Sequence, residues 1–140
     1  MSDLKYPISV LVADDHTLFR QSISAVLESR PNIVKVGGAC NGVEVFELLN
    51  QEKWDIILLD VEMPEMNGFD VLTRLDPVSA PPVIMISFSD SVNDIRRSYQ
   101  LGAKGYLLKE CSIEELIGAM SVVMEGSTYI SPHTHYTSFS

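Results

Sequence analysis

Five residues stand where short apolar runs give way to polar side chains: Asp14 and Asp15 after ISVLVA, Asp60 after IILL, Ser87 after VIMI and Lys109 after GYLL. Three carboxylates drawn within a few ångströms of one another repel strongly unless a cation lies between them. The set therefore predicts a divalent metal. With no His or Cys at these five positions, Mg²⁺ or Mn²⁺ is favoured over zinc, and two or three carboxylates leave room for water and a phosphoryl oxygen. A lysine and a hydroxyl opposite the metal complete a clamp for phosphoryl oxygens, because phosphoryl transfer needs positioning and charge neutralisation more than covalent help. One carboxylate would then be the nucleophile. Each residue alone has a plainer reading: Asp15 as a helix N-cap, Ser87 and Lys109 as solvated or locally bonded side chains. Five at consistent positions favour the joint reading.

The elements that must bring them together alternate along the chain. Ile8–Ala13 is apolar and rich in β-branched residues, as expected of a strand buried on both faces. From Thr17 to Ser29 apolar residues fall at helical spacing until Arg30-Pro31 stops them. Ile33–Cys40 reads as a second strand, and Asn41 as the cap of a helix burying Val45, Phe46, Leu48 and Leu49. Ile56–Leu59 is a third strand, followed by the loop VEMPEMNG and a short helix from about Gly68. Val83–Ile86 is the fourth strand, and Ser91 caps a helix to about Leu101. Gly105–Leu108 is the fifth, and Ser112 with Glu115 predicts a capping box for a helix to about Glu125, stopped by Gly126. Strict alternation of this kind implies an α/β fold, a parallel sheet with helices on both faces. In such sheets ligands bind beyond the carboxyl ends of the strands, where the strand order reverses.

Composition sets the boundaries. The 140 residues are 46% hydrophobic, about one domain's worth, and long enough to fold without disulfide or metal staples. A net charge of −9 argues against direct nucleic-acid binding, which needs clustered Lys and Arg. Cys40 and Cys111 lack metal-ligand spacing and read as small buried hydrophobes. No apolar run approaches the ~18 residues of a membrane span, and MSDLKYPIS lacks a signal peptide's layout, so a cytoplasmic location is expected.

The segments VLVADDH, IILLDVEMPEMNG, VIMISFSD and GAKGYLLKE resemble the receiver domain of two-component response regulators, over about residues 7–126. The resemblance implies a flavodoxin-like (βα)5 doubly wound sandwich with a five-stranded parallel sheet in the order 2-1-3-4-5. It implies a receiver over residues 1–126 and a linker or tail over 127–140. Asp60 would take a phosphoryl group from a phosphohistidine of a sensor histidine kinase. Asp14 and Asp15 would hold Mg²⁺, Asp15 as the direct ligand, together with Asp60 and the backbone carbonyl of Glu62. Ser87 and Lys109 would each bind a phosphoryl oxygen, and Tyr106 would be the switch aromatic whose rotamer follows Ser87. The domain would assist hydrolysis of its own phosphoryl group and turn over no separate metabolite. DDH at 14–16, GYLLKE at 105–110 and YISP at 129–132 resemble the NarL/FixJ branch, whose members usually carry a C-terminal LuxR-type helix-turn-helix. No such domain lies in these 140 residues, so contact with DNA is expected only through a domain outside them. Dimerisation on phosphorylation is a further expectation.

Some residues depart from the family pattern or invite other readings. Glu110 follows Lys109 where many relatives have proline, so a trans bond is expected, a non-proline cis bond costing ~3 kcal/mol. Phe88 is bulkier than the residue many receivers carry there and is expected to narrow access to Asp60. His16 is within reach of the metal site but reads as a helix N-terminal residue. His133 and His135 read as part of a solvated tail, Arg96-Arg97 as a helix surface, and Trp54 as packing where the third strand begins. Met63, Met66 and Met85 call for no special role. Three rivals remain. A haloacid-dehalogenase-like phosphatase would want Asp-x-Asp where Asp60-Val61-Glu62 stands, and a flavodoxin-type module would want a Ser/Thr/Gly-rich loop where ADDHTLF stands. A phosphorylation-independent docking receiver would leave the acidic cluster, Ser87 and Lys109 unused, and a single-domain receiver is a further alternative.

Overall fold

The β-branched runs pair with one another in a computed structural model that describes Leu4, Lys5 and residues 7–131. Strands β1 (Ile8–Ala13), β2 (Ile33–Ala39), β3 (Ile56–Asp60), β4 (Val83–Ser87) and β5 (Gly105–Leu108) alternate with helices α1 (Thr17–Glu28), α2 (Gly42–Gln51), α3 (Gly68–Arg74), α4 (Val92–Gln100) and α5 (Ile113–Met124). All strand pairs are parallel, in the order β2-β1-β3-β4-β5 that the resemblance implied. Among the described residues no helix is long and apolar enough to cross a membrane.

Residue alternation along β3 divides the core. Ile57 and Leu59 pack with Val45 of α2, Phe69, Val71 and Leu72 of α3 and Ile95 of α4, whereas Ile56 and Leu58 pack with Leu27 of α1 and Leu116, Ile117 and Met120 of α5. Successive side chains of a strand face opposite ways, so a run that is apolar at every position needs helices on both sides. The helices begin where the sequence signals them. Asn41 Oδ1 accepts from Glu44 N–H (2.9 Å) and Ser91 Oγ from Asp94 N–H (3.4 Å), while Asn67 and Asp70 form a reciprocal capping box. Such caps are worth ~1 kcal/mol each.

The five-stranded expectation needs one correction. A sixth strand, β6 (Tyr129–Ile130), continues the sheet beyond β5, within the stretch expected to be linker. Tyr129 N–H donates to Lys104 O and Ser131 N–H to Tyr106 O. Two residues flanked by Ser, Thr and Pro carry no apolar run, and what recruits them is the open edge of β5 rather than their own pattern. The Ser112–Glu115 box forms in its Ser112 half, Ser112 Oγ accepting from Glu115 N–H, while the Glu115 carboxylate accepts from the Tyr129 hydroxyl at 2.9 Å.

The cysteines are free thiols, as expected, but half-buried rather than buried. Burial pushes the Cys111 thiol up to about 11. Trp54 does pack where β3 begins: its ring lies against Gly37, where a Cβ would sit 2.3 Å from the indole, and its Nε1–H donates to Leu48 O. His133 and His135 lie outside the described residues.

Gly68 opens α3 by donating its N–H to Val61 O at 2.8 Å, and a Cβ there would lie 2.4 Å from the carbonyl oxygen of Asp60. Backbone cannot yield as a flexible side chain can. Gly68→Ala is therefore expected to cost about 1–3 kcal/mol by displacing the end of β3, measured by urea denaturation. An unchanged midpoint would contradict the close approach.

Candidate functional site

The parallel sheet brings the five strand-end residues to one edge. Asp14 follows β1, Asp60 ends β3 beside it, Ser87 ends β4 and Lys109 follows β5. The strand order reverses at β1 and β3, so the acidic residues stand at the crevice where such sheets bind ligands.

Asp14, Asp60 and Lys109 are all buried, and Lys109 Nζ lies 2.8 Å from Asp14 Oδ2 and 3.3 Å from Asp60 Oδ2. These are charge contacts without the directional geometry of hydrogen bonds, which leaves Asp14 Oδ2 and Asp60 Oδ2 with unused lone pairs. The other oxygens are held by backbone: Glu62 N–H donates to Asp60 Oδ1 (3.2 Å) and His16 N–H to Asp14 Oδ1 (2.7 Å). Arg20 anchors the same turn through the Asp14 carbonyl. Asp15 is not the N-cap of α1; His16 takes that position, and its side chain makes no capping bond. Asp15 Oδ1 is buried without a hydrogen-bond partner.

Oxygens of Asp14, Asp15 and Asp60 and a ring nitrogen of His16 lie within 4.8 Å of one another. Buried carboxylate oxygens without donors, converging at that distance, are compatible with a bound metal ion. None of the five strand-end residues is a histidine, and His16, expected within reach of the site, is indeed beside it. The backbone turn after Asp15 folds the His16 ring back to 3.1 Å from Asp14 Oδ1 and 3.3 Å from Asp15 Oδ1.

Ser87 Oγ accepts from Ser89 N–H at 2.9 Å, and Lys109 N–H donates to Ser87 O at 2.8 Å. Tyr106 is wholly buried, and its hydroxyl donates to Ser89 O at 2.7 Å. Burial pushes that hydroxyl up to about 12. The β4–α4 connection is thus tied to both the strand-end serine and the aromatic of β5. The Lys109–Glu110 bond is trans, as expected, with no cis bond among the described residues.

The loop from β3 to α3 carries features that the sequence did not announce. Met66 N–H reaches Pro64 O at 2.7 Å around Glu65, whose φ is +67°, a strained three-residue turn. Met63 is buried and anchors the loop to the core. Arg97 stacks over Phe69 at 4.3 Å and so is more than a solvated helix residue. Phe88 is 64% exposed, with Lys109 Nζ 5.2 Å from its ring centroid. It lines an open depression of about 900 Å³ with Asp15, His16, Glu62 and Met63.

Residues 10–121 match the family model of the response regulator receiver domain. The chain belongs to this family. It is 34% identical over 129 residues to the transcriptional regulatory protein DegU of Brevibacillus brevis, covering 89% of this chain and 53% of that one. It is 34% identical over 126 residues to the nitrate/nitrite response regulator NarL of Escherichia coli K12, covering 89% and 58%. The chain therefore spans a little over half the length of these relatives. Among solved structures, the receiver domain of Francisella response regulator 1452 superposes with a TM-score of 0.75 at 32% identity, covering 84% of this chain and 97% of that one. A LuxR-family response regulator from Aurantimonas sp. SI85-9A1 gives 0.84 over 90% and 91% of the chains, at an identity of 22% that speaks to fold alone. Membership sets aside the phosphatase and flavodoxin readings and makes the domain a signalling switch.

Burial, with the negative charge of Asp14 beside it, pushes the carboxyl of this receiver's Asp60 up to about 6, against the pull of Lys109 and Glu62 N–H. The folded value exceeds the ordinary 3.8, so folding favours neutral Asp60: its contribution is full below pH 3.8 and is lost as pH rises through 6. Asp60→Asn is accordingly expected to raise the melting temperature near neutral pH, with the gain fading as pH falls from 6 towards 3.8. A pH-independent difference would show that Asp60 is not held in this way.

Proposed function

We propose that Asp60 is the phosphoacceptor of a Mg²⁺-dependent receiver that takes its phosphoryl group from a sensor histidine kinase. The observation that carries this reading is the buried Asp60 Oδ2, without a hydrogen bond, facing Lys109 across 3.3 Å. Asp60 Oδ2 attacks phosphorus, the new P–O bond replaces the P–N bond of the donor, and the imidazole leaves. Lys109 neutralises charge on the transferring oxygens. Asp15, Asp60, the carbonyl of Glu62 and, less directly, Asp14 hold Mg²⁺, Mn²⁺ being a second fit for these oxygens. The ion, when bound, neutralises charge on the phosphoryl oxygens at the strand ends.

Ser87 then donates its hydroxyl proton to a phosphoryl oxygen. Because Ser87 Oγ also accepts from Ser89 N–H and Tyr106 bonds Ser89 O, movement of Ser87 is felt at Tyr106. Such differential contact is what a two-state switch requires. Water attack on phosphorus later returns Asp60 to its free form, assisted by the same residues. The name of the relative DegU, a transcriptional regulatory protein, supports transcription as the output; a helix-turn-helix beyond the receiver, homodimerisation on phosphorylation and a cytoplasmic setting are part of the same proposal.

Incubation with acetyl phosphate and Mg²⁺ is expected to add about 80 Da to the intact mass, one phosphoryl group. The adduct should vanish in Asp60→Asn and on chelation. An adduct that persists in Asp60→Asn would move the phosphoacceptor elsewhere. Phe88→Ala should speed adduct formation by opening the depression beside Asp15, and identical rates in stopped-flow phosphorylation would remove Phe88 from access control.

A further inference from the structure

His16 lies where the family's metal chemistry calls only for oxygen. Its Nδ1 sits 3.1 Å from Asp14 Oδ1 and 3.3 Å from Asp15 Oδ1, in a donor set no wider than 4.8 Å that includes Asp60. Donors held ~2.1 Å from one ion lie at most ~4.2 Å apart, so a set within 4.8 Å is close to a single coordination shell and needs a shift of only about half an ångström to close into one. The ring's own hydrogen bond reaches only Asp14 Oδ1, and Lys109 Nζ, 2.8 Å from Asp14 Oδ2 and 3.3 Å from Asp60 Oδ2, brings one positive charge to the set. Asp14 Oδ1 already accepts the His16 backbone N–H, while Asp14 Oδ2, Asp15 Oδ1 and Asp60 Oδ2 are buried without hydrogen bonds. The ring's Nδ1 is hydrogen-bonded to Asp14 Oδ1, but it makes no helix-capping bond and its side chain is 62% exposed, which leaves the imidazole room to adjust.

We infer that His16 is a nitrogen ligand of the acidic site and tightens its hold on dications with affinity for imidazole, Co²⁺, Ni²⁺ and Zn²⁺, without tightening Mg²⁺. The inference rests on the reading of Asp15 and Asp60 as metal ligands. Mg²⁺ prefers oxygen and keeps its waters, whereas imidazole suits the later first-row ions. The same edge of the sheet then admits a transition ion in competition with Mg²⁺, and His16 sets the ratio.

The test uses the full chain carrying His133→Ala and His135→Ala, which leaves His16 as the remaining one of three histidines. Ni²⁺ and Mg²⁺ are titrated separately by calorimetry into this protein and into versions that also carry His16→Asn or Asp15→Asn. Asparagine keeps an N–H for Asp14 but is a poor ligand. His16→Asn is expected to weaken Ni²⁺ by ~tenfold or more and Mg²⁺ by less than ~threefold. Unchanged Ni²⁺ affinity, or equal losses for both ions, would overturn the inference. Asp15→Asn should weaken both ions; if it weakens neither, the acidic metal site itself fails, a result separate from any effect of His16.

Discussion

One buried ammonium is set against two buried carboxylates. Lys109 lies within 3.3 Å of both Asp14 and Asp60, and a single positive charge cannot balance the pair. In a medium less polarisable than water the deficit is costly, and it surfaces in the raised affinity of Asp60 for a proton. An arrangement short of positive charge is also one that a dication completes. The charge deficit of these carboxylates and their capacity to hold a cation are the same electrostatic fact.

The rest of the fold keeps that deficit in place. The continuous apolar β3 holds Asp60 buried at its end, with helices packed on both faces of the sheet. The β3–α3 loop, with its positive-φ turn at Glu65 and its anchor at Met63, delivers the N–H of Glu62 to one Asp60 oxygen and leaves the other facing Lys109. On the far side, Ser87, Ser89 and Tyr106 form a chain of hydrogen bonds that begins at the strand edge and ends in the core. These bonds tie the end of β4 and the buried ring of Tyr106 to the β4–α4 connection.

Much of this was legible in the sequence because it depends on patterns the chain repeats. Apolar runs marked the strands, Asn41, Ser91 and Ser112 marked helix starts, and polar residues just after each run located the site. What escaped depends on three-dimensional proximity. The demand for glycine at position 68 comes from the Asp60 carbonyl, and the stacking of Arg97 on Phe69 from the meeting of α3 and α4. Strand β6 escaped for a different reason: its two residues are ordered by the partner they meet.

That short strand alters how the molecule meets others of its kind. A sheet edge presents unpaired backbone groups that invite another chain, and β6 covers much of the four-residue β5. The opposite edge, β2, is exposed in a form that resists addition. Lys35 is held there over Trp54 and paired with Glu52, and Gly37 and Gly38 offer no side chains for a neighbour to grip. The protein thus protects its two flanks against strand-to-strand association by different means, a covering segment on one and charge with glycine on the other.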